Sequence, residues 1–209
     1  MTFDHPVVFV VDDDVRVRKA LSSLLASAGL DVAVFASATE FLQAEKPDAP
    51  ACLVLDLELP DIHGLELQKE LAEREAPPIV FITGYGDIPS SVKAMKAGAV
   101  EFLSKPFGDE ELLRAIDSAI VLDQAERLKR SERETLRCRY ERLTPRERQV
   151  LTFVVAGYPN KQTAGELGTS EITVGVHRGQ IMRKMGARSL AELVRFADKL
   201  EITLPEASE

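Results

Sequence analysis

Apolar residues follow two rhythms along the chain. In the first 122 residues short β-branched and aromatic runs recur at Val7 to Val11, Val32 to Phe35, Cys52 to Leu55, Ile79 to Ile82 and Val100 to Leu103. Between them apolar side chains return every three or four positions: Val17, Leu21, Leu24, Leu25 and Ala28; Leu65, Leu67 and Leu71; Val92 and Met95; Leu112, Leu113, Ile116 and Ile120. Short apolar runs are the mark of buried strands and the three-to-four spacing that of amphipathic helices, so five βα units are expected. Gly29 and Gly98 fall just past predicted helices, Ser37-Ala-Thr-Glu40 reads as a capping box, and Pro77-Pro78 is placed to stop the third helix. Strands alternating with helices form a parallel sheet covered on both faces. Residues 1–122 are therefore expected to be a doubly wound α/β domain.

No proline follows Pro106, and no glycine Gly108, before Arg142. The fifth helix is thus expected to run on beyond the domain edge, with 123–142 as a helical linker. Between Glu126 and Arg148 it carries nine basic and five acidic residues, with Leu128, Leu136, Tyr140 and Leu143 as its sizeable apolar side chains. A rigid spacer and a weak coiled-coil seam both fit that pattern. From residue 143 to 200 the rhythm is helical throughout. Thr144-Pro-Arg-Glu147 is a capping box ahead of Val150, Leu151, Val154 and Val155; Lys161 to Leu167 is a short helix ended by Gly168; Ser170 caps a helix to about Met185; and Ser189-Leu-Ala-Glu192 caps the last. Short helices joined by a glycine-containing turn outline a helix-turn-helix. Residues 201–209 read as a flexible tail.

Charge separates the two parts. The net charge is −8, but residues 1–122 hold 21 acidic against 10 basic side chains, and residues 123–209 hold 13 against 16. An acidic module precedes a basic one, so only the second is suited to an anionic partner. With 45% hydrophobic and 29% charged residues the chain buries a real core, which excludes a disordered, collagenous or disulfide-stapled protein. No apolar run exceeds the five residues Val7 to Val11, whereas a membrane span needs about 20. Two cysteines without metal-ligand spacing, and an N-terminus without a basic, apolar leader, point to the cytoplasm.

Chemistry gathers at strand ends. In a doubly wound sheet sites form at the carboxyl edge, where Asp12 and Asp13 follow the first strand, Asp56 the third, Thr83 the fourth and Lys105 the fifth. In the order 2-1-3-4-5 those strands are neighbours. Three carboxylates together repel unless a hard divalent cation lies among them, and oxygen ligands suit Mg²⁺ or Mn²⁺. A carboxylate there can attack a phosphoryl group, while a hydroxyl and an ammonium stabilise its oxygens. Asp14, Asp61 and Asp87 read as solvated rim, and His5 and His63 have no metal or catalytic spacing.

Val10-Val-Asp-Asp13, Leu53-Val-Leu-Asp56 with Pro60 and Gly64, Ile82-Thr83-Gly84 and Lys105-Pro106-Phe107 resemble the motifs of a response-regulator receiver domain, with its flavodoxin-like five-stranded parallel sheet. The resemblance implies Asp56 as phosphoacceptor, Asp12, Asp13 and Asp56 with the Glu58 carbonyl as metal ligands, Thr83 and Lys105 as the phosphoryl-holding pair, Phe102 as an aromatic switch, and a cis bond before Pro106. Leu143-Thr-Pro-Arg-Glu-Arg-Gln-Val-Leu151, Asn160-Lys161, Ala164 to Gly168, Thr173-Val174, Val176-His-Arg178 and Ile181-Met-Arg-Lys184 resemble a LuxR-type helix-turn-helix. Together they are similar to the NarL/FixJ class, and most to its FixJ-like branch. That implies a sensor histidine kinase, double-stranded promoter DNA and a second copy of the chain as partners, with RNA polymerase as a further one. The receiver's catalysis would be confined to its own Mg²⁺-dependent phosphorylation and dephosphorylation. Ser170 to Met185 becomes the recognition helix, with Ser170 among its DNA-binding residues, Lys161, Thr173, Arg178, Arg183 and Lys184 toward phosphates and Val176 and His177 toward base edges. Leu190, Leu193 and Val194 are candidates for a pairing face on the last helix.

Gly175 departs from the usual lysine of that motif and Gly179 from a polar residue. Either the backbone approaches DNA closely there or specificity has moved to neighbours. Two other readings compete: a metal-dependent phosphatase with the helical part as lid, and a protein-interaction adaptor. The first lacks support, since no Ser/His/Asp order, P-loop or paired-glycine fingerprint is present.

Overall fold

The computed structural model describes residues 5–72, 74–84 and 88–203. The expectation for Asp87 and most of the expected tail 201–209 lie outside them; at the start of that tail the Ile202 amide donates to the Ala197 carbonyl and Ile202 packs on the helical core, so this part is not loose. The chain divides into two compact units, Met1–Arg127 and Leu128–Glu209.

The first unit holds strands β1 (Val7–Val11), β2 (Asp31–Phe35), β3 (Ala51–Asp56), β4 (Ile79–Thr83) and β5 (Glu101–Ser104), with helices α1 (Val15–Ser27), α2 (Ala38–Gln43), α3 (Gly64–Ala72), α4 (Ile88–Lys96) and the beginning of α5 (Asp109–Glu141). The strands are parallel in the order β2-β1-β3-β4-β5. Every residue of β1, β3 and β4 is buried, as a sheet covered on both faces requires. Alternation sorts them: Phe9, Leu53, Leu55 and Phe81 pack on one side with Phe41 and Leu67, while Val8, Val10, Val54 and Ile82 pack on the other with Leu25, Leu112 and Ile116. Register brings the strand ends level, with Val11 beside Leu55, Asp56 beside Ile82, and Thr83 beside Ser104.

Local signals act mostly as expected. Gly29 and Gly98 have φ of 79° and 91°, the left-handed conformation that ends a helix. The Ser37 hydroxyl accepts from the Glu40 amide, but the Glu40 carboxylate reaches the Ala36 amide, one residue short of a closed capping box. Asp14 caps α1 through Arg16, and exposed Asp61 accepts from the amides of Ala38 and Thr39 at the start of α2. Pro77-Pro78 is not the stop of α3, since a bend at Arg74 already separates that helix from β4. The acidic Asp123 is buried within α5, where its carboxylate accepts from the Ala51 amide at the head of β3 and from Arg127 Nε.

The second unit is all helical: the end of α5, then α6 (Pro145–Val155), α7 (Asn160–Glu166), α8 (Glu171–Met185) and α9 (Leu190–Lys199). Thr144 forms the full capping box with Glu147, and Ser170 and Ser189 cap α8 and α9. The core joins Leu143, Val150, Leu151, Val154, Val174, Ile181, Met185 and Leu193. This corrects two expectations. Leu193 is 1% exposed, so the interior claims it and it cannot belong to a pairing face; Leu190 and Val194 remain on the surface. Of the apolar residues of the linker, Leu136 and Leu143 are buried and Tyr140 packs on the core, so α5 contributes to this unit and only Leu128 stays exposed for a seam.

Candidate functional site: an acidic pocket at the strand ends and helix α8

The carboxyl ends of β1, β3, β4 and β5 converge on one pocket. Asp12 is fully buried, Asp56 is 6% exposed, and Asp13 is exposed at the rim. One carboxylate oxygen from each lies within 4.8 Å of the others. Lys105, half-buried, donates from Nζ to Asp12 Oδ2 at 2.7 Å and to Asp56 Oδ2 at 2.6 Å. Burial pushes the Asp12 carboxyl up, and hydrogen bonds from Lys105 and the Asp14 amide offset only part of that. Burial works against the Lys105 ammonium, but its bonds to Asp12 and Asp56 outweigh it and raise its pKa. The ammonium therefore stays charged beside the Asp56 carboxylate.

The surrounding backbone is set by the same strand ends. The Glu58 amide donates to Asp56 Oδ1 at 3.1 Å, and the Lys105 amide donates to the Thr83 carbonyl at 2.7 Å. Thr83 is fully buried, and the Lys105–Pro106 peptide is cis. Gly64 leaves room for this loop: its amide bonds the Leu57 carbonyl at 2.8 Å, and a Cβ there would stand 2.8 Å from the Asp56 carbonyl oxygen. Phe102 is half-buried, its ring 6.1 Å from that of Phe81. His63 sits 3.7 Å from Glu58 and outside the carboxylate cluster.

One residue of this pocket escaped the sequence reading. Arg18, on α1, donates from one guanidinium nitrogen to the carbonyls of Asp12 at 2.6 Å and Asp13 at 2.8 Å. It holds the turn that carries the acidic pair and offsets its charge. The only signal was its place one turn beyond Asp14 on the helix that starts there.

A hard divalent cation fits these donors. All are oxygens, two are well buried, and the ligand atoms are near enough to share an ion while Lys105 balances part of their charge. Receiver domains bind Mg²⁺ in such an acidic pocket.

On α8, the expected recognition helix, and at the start of α7 the expected DNA residues separate into two groups. Lys161, Ser170, Thr173, Val176 and Arg183 are exposed. Ser170 also closes the helix start, with its hydroxyl 2.7 Å from that of Thr173. His177, Arg178 and Lys184 are half-buried, and Arg178 is held by the Asn160 side chain at 3.0 Å. Lys184 Nζ lies 2.6 Å from Glu147 Oε2, and Glu147 is 1% exposed. A buried carboxylate requires a cationic partner, so Lys184 is committed inside the domain. Glu147 was read only as half of a capping box. Gly175 and Gly179 lie in regular helix, where each costs about 1 kcal/mol relative to alanine.

Exchanging Lys184 for Met is expected to destabilise the helical unit by about 3 kcal/mol, the penalty of an abandoned buried charge. The slope of log K for DNA against log salt should stay unchanged. Thermal melts and a salt titration measure both; a slope reduced by about 0.9 would return Lys184 to the phosphates. Acid acts on the same pair. Burial opposes the Glu147 carboxylate, but Lys184 and the Thr144 amide and hydroxyl hold its pKa below the ordinary 4.5. At neutral pH the carboxylate is ionised both folded and unfolded and the pair contributes fully; below 4.5 the unfolded chain takes up the proton first, so that contribution falls and is lost once the folded carboxyl also titrates.

Two family models match the chain. Residues 8–117 fit the response regulator receiver domain, and residues 141–197 fit the bacterial regulatory proteins of the luxR family. The chain is a response regulator. It belongs to the FixJ-like group with a LuxR-type DNA-binding domain, and its relatives are response regulators and transcriptional regulators. It is 50% identical to nodulation protein W of Bradyrhizobium diazoefficiens over 94% of this chain and 87% of that one. It is 44% identical to the transcriptional regulatory protein FixJ of Rhizobium meliloti over 91% of this chain and 94% of that one. The solved structure of the response regulator StyR is 49% identical and superposes with a TM-score of 0.80, covering 93% of this chain and 99% of that one. This response regulator is thus a two-component transcription regulator, in a family that is not one of classical enzymes. Among its described residues no helix is long and apolar enough to cross a membrane.

Proposed function

We propose that a sensor histidine kinase phosphorylates Asp56, and that this controls pairing of two copies of the chain and their binding to promoter DNA in the cytoplasm. The observation that carries the reading is the Lys105 ammonium, 2.6 Å from Asp56 Oδ2 in a pocket shared with Asp12 and Asp13. Asp56 attacks phosphorus through a carboxylate oxygen; the O–P bond forms as the N–P bond to the kinase histidine breaks, and the imidazole takes up a proton. Asp12, Asp13, Asp56 and the Glu58 carbonyl are the residues to hold Mg²⁺ or Mn²⁺, which supplies charge neutralisation at the phosphoryl oxygens. Thr83 and Lys105 hold those oxygens afterwards. Their new bonds draw Thr83 inward and let Phe102 repack, which biases the face of α4, β5 and α5. That face has an apolar stripe to pair, since Ile88 is 80%, Val92 44% and Met95 43% exposed on successive turns of α4. Catalysis is confined to the receiver's own phosphorylation and dephosphorylation.

Paired chains then set two copies of α8 in successive major grooves, because two half-sites multiply modest contacts. Lys161, Ser170, Thr173 and Arg183 position the helix on phosphates, and Val176 meets base edges. Lys184 leaves that set, Arg178 acts through its bond to Asn160, and half-buried His177 stays beside Val176 toward base edges. RNA polymerase is the partner that such a promoter-bound dimer would engage.

Selection from a random duplex library with the full chain, Mg²⁺ and beryllofluoride tests the proposal, since that complex mimics an aspartyl phosphate. The expected result is a two-fold-symmetric site enriched only with the mimic. Equal enrichment with and without it would overturn control by Asp56, and no enrichment in either would overturn the DNA reading. Affinity for the selected site should fall steeply with salt as counterions are released.

A further inference from the structure

The outward stripe of α8 is apolar at one end, bare in the middle and basic at the other. Val174, Ile181 and Met185 bury the opposite side, which leaves Ile172, Val176, Gly179 and Arg183 along the outer line with Gly175 beside it. Ile172 is 82% and Val176 55% exposed. A Cβ at Gly179 would meet nothing within 4 Å, and one at Gly175 only the Asn160 amide nitrogen at 3.8 Å. Neither has a positive φ. Nothing inside the domain therefore calls for glycine at either place.

Hydrogen-bonding readers are scarce on this line. Reading guanine takes Arg or Lys and reading adenine takes Asn or Gln. Arg178 is held by Asn160 and Lys184 by Glu147, so Gln180 on the flank and Arg183 at the far end remain. The apolar feature of the major groove is the thymine methyl group.

We infer that Ile172 and Val176 read thymine methyl groups, with Gly175 and Gly179 letting the helix backbone settle close to the groove floor. This rests on α8 being the recognition helix and names what that helix recognises. Four residues separate the two side chains, about 6 Å along the helix, so one half-site presents both methyl groups within about two base-pair steps. Arg183 then anchors the other end of the line on a phosphate or a guanine.

Deoxyuridine in place of thymidine removes only the methyl group. With the full chain, Mg²⁺ and beryllofluoride, single uracil exchanges through the selected site are expected to weaken binding about fourfold at one or two thymines per half-site. Ile172→Ala and Val176→Ala should lose that thymine preference, each at its own position, binding both duplexes at the uracil level. Gly179→Lys should weaken the thymine duplex at least tenfold although the helix gains stability, so that the melting temperature is no lower than that of the wild type. Sequence-specific binding that ignores the methyl groups, or an unchanged preference in both alanine variants, would overturn this inference and leave the recognition-helix reading standing. Absence of specific binding to any duplex would overturn both and turn the apolar stripe toward a protein partner.

Discussion

Asp56→Asn is expected to reduce stable phosphoryl incorporation to background and to leave DNA affinity unchanged by kinase or acetyl phosphate. The amide retains the shape of the carboxylate but lacks a nucleophilic oxyanion, and no neighbour replaces it. Asp12 is fully buried and engaged by Lys105 at 2.7 Å, while Asp13 stands at the exposed rim. Folding should survive. Removal of one carboxylate relieves repulsion in the triad, and Lys105 retains Asp12 as its partner, so the melting temperature is expected to move by only a few degrees. Phosphate-affinity electrophoresis of the wild type and the variant after incubation with acetyl phosphate provides the readout. Wild-type levels of phosphoryl-protein in the variant would sink the assignment of the acceptor. Lys105→Ala would not be an equivalent test, because it also strips the counter-charge from a fully buried Asp12 and confounds chemistry with stability.

Gly64→Ala should unfold the receiver more readily than most single exchanges, by about 3 kcal/mol. The methyl group would stand 2.8 Å from the Asp56 carbonyl oxygen and 3.0 Å from both Leu57 Cα and a Phe81 ring carbon. Two of these are backbone atoms at the end of β3, and Phe81 is fully buried, so nothing nearby swings aside. Relief requires the segment after Asp56 to shift. That disturbs the 2.8 Å bond from the Gly64 amide to the Leu57 carbonyl and the amide contact from Glu58 to Asp56. Phosphorylation should slow together with the loss of stability. The contrasting exchange is Gly175→Ala, where the nearest atom is 3.8 Å away and the backbone is helical; it should stabilise the helical unit by up to about 1 kcal/mol. Calorimetry of the two variants decides the matter. A Gly64→Ala protein that melts with the wild type would show that the loop after β3 accommodates a methyl group and that the glycine has some other cause.

What can be read along the chain is what depends on near neighbours. Periodicity of 2 or 3.6 marks strands and helices, a serine or threonine with glutamate three residues on marks a helix start, and the order of βα units fixes which strand ends adjoin. Asp12, Asp13, Asp56, Thr83 and Lys105 were legible for that reason, since each follows a strand and the topology brings those strands together. The uninterrupted fifth helix was legible because nothing in it breaks a helix.

Partnerships across distance were decided only by the tertiary structure. Lys184 looked like any basic residue of a recognition helix until Glu147, 37 positions earlier, proved to be buried against it. Asp123 looked like linker surface, yet it holds the amide of Ala51, 72 positions away. Leu193 and Leu136 share their spacing with exposed neighbours, and only packing selected which of them went inside. A helical period says that one face is covered. It does not say by what, because a charge or a leucine has the same local pattern whether it meets water, DNA or a distant segment of its own chain. The cost of leaving a buried group unmatched settles that choice, and it exists only once the chain has folded.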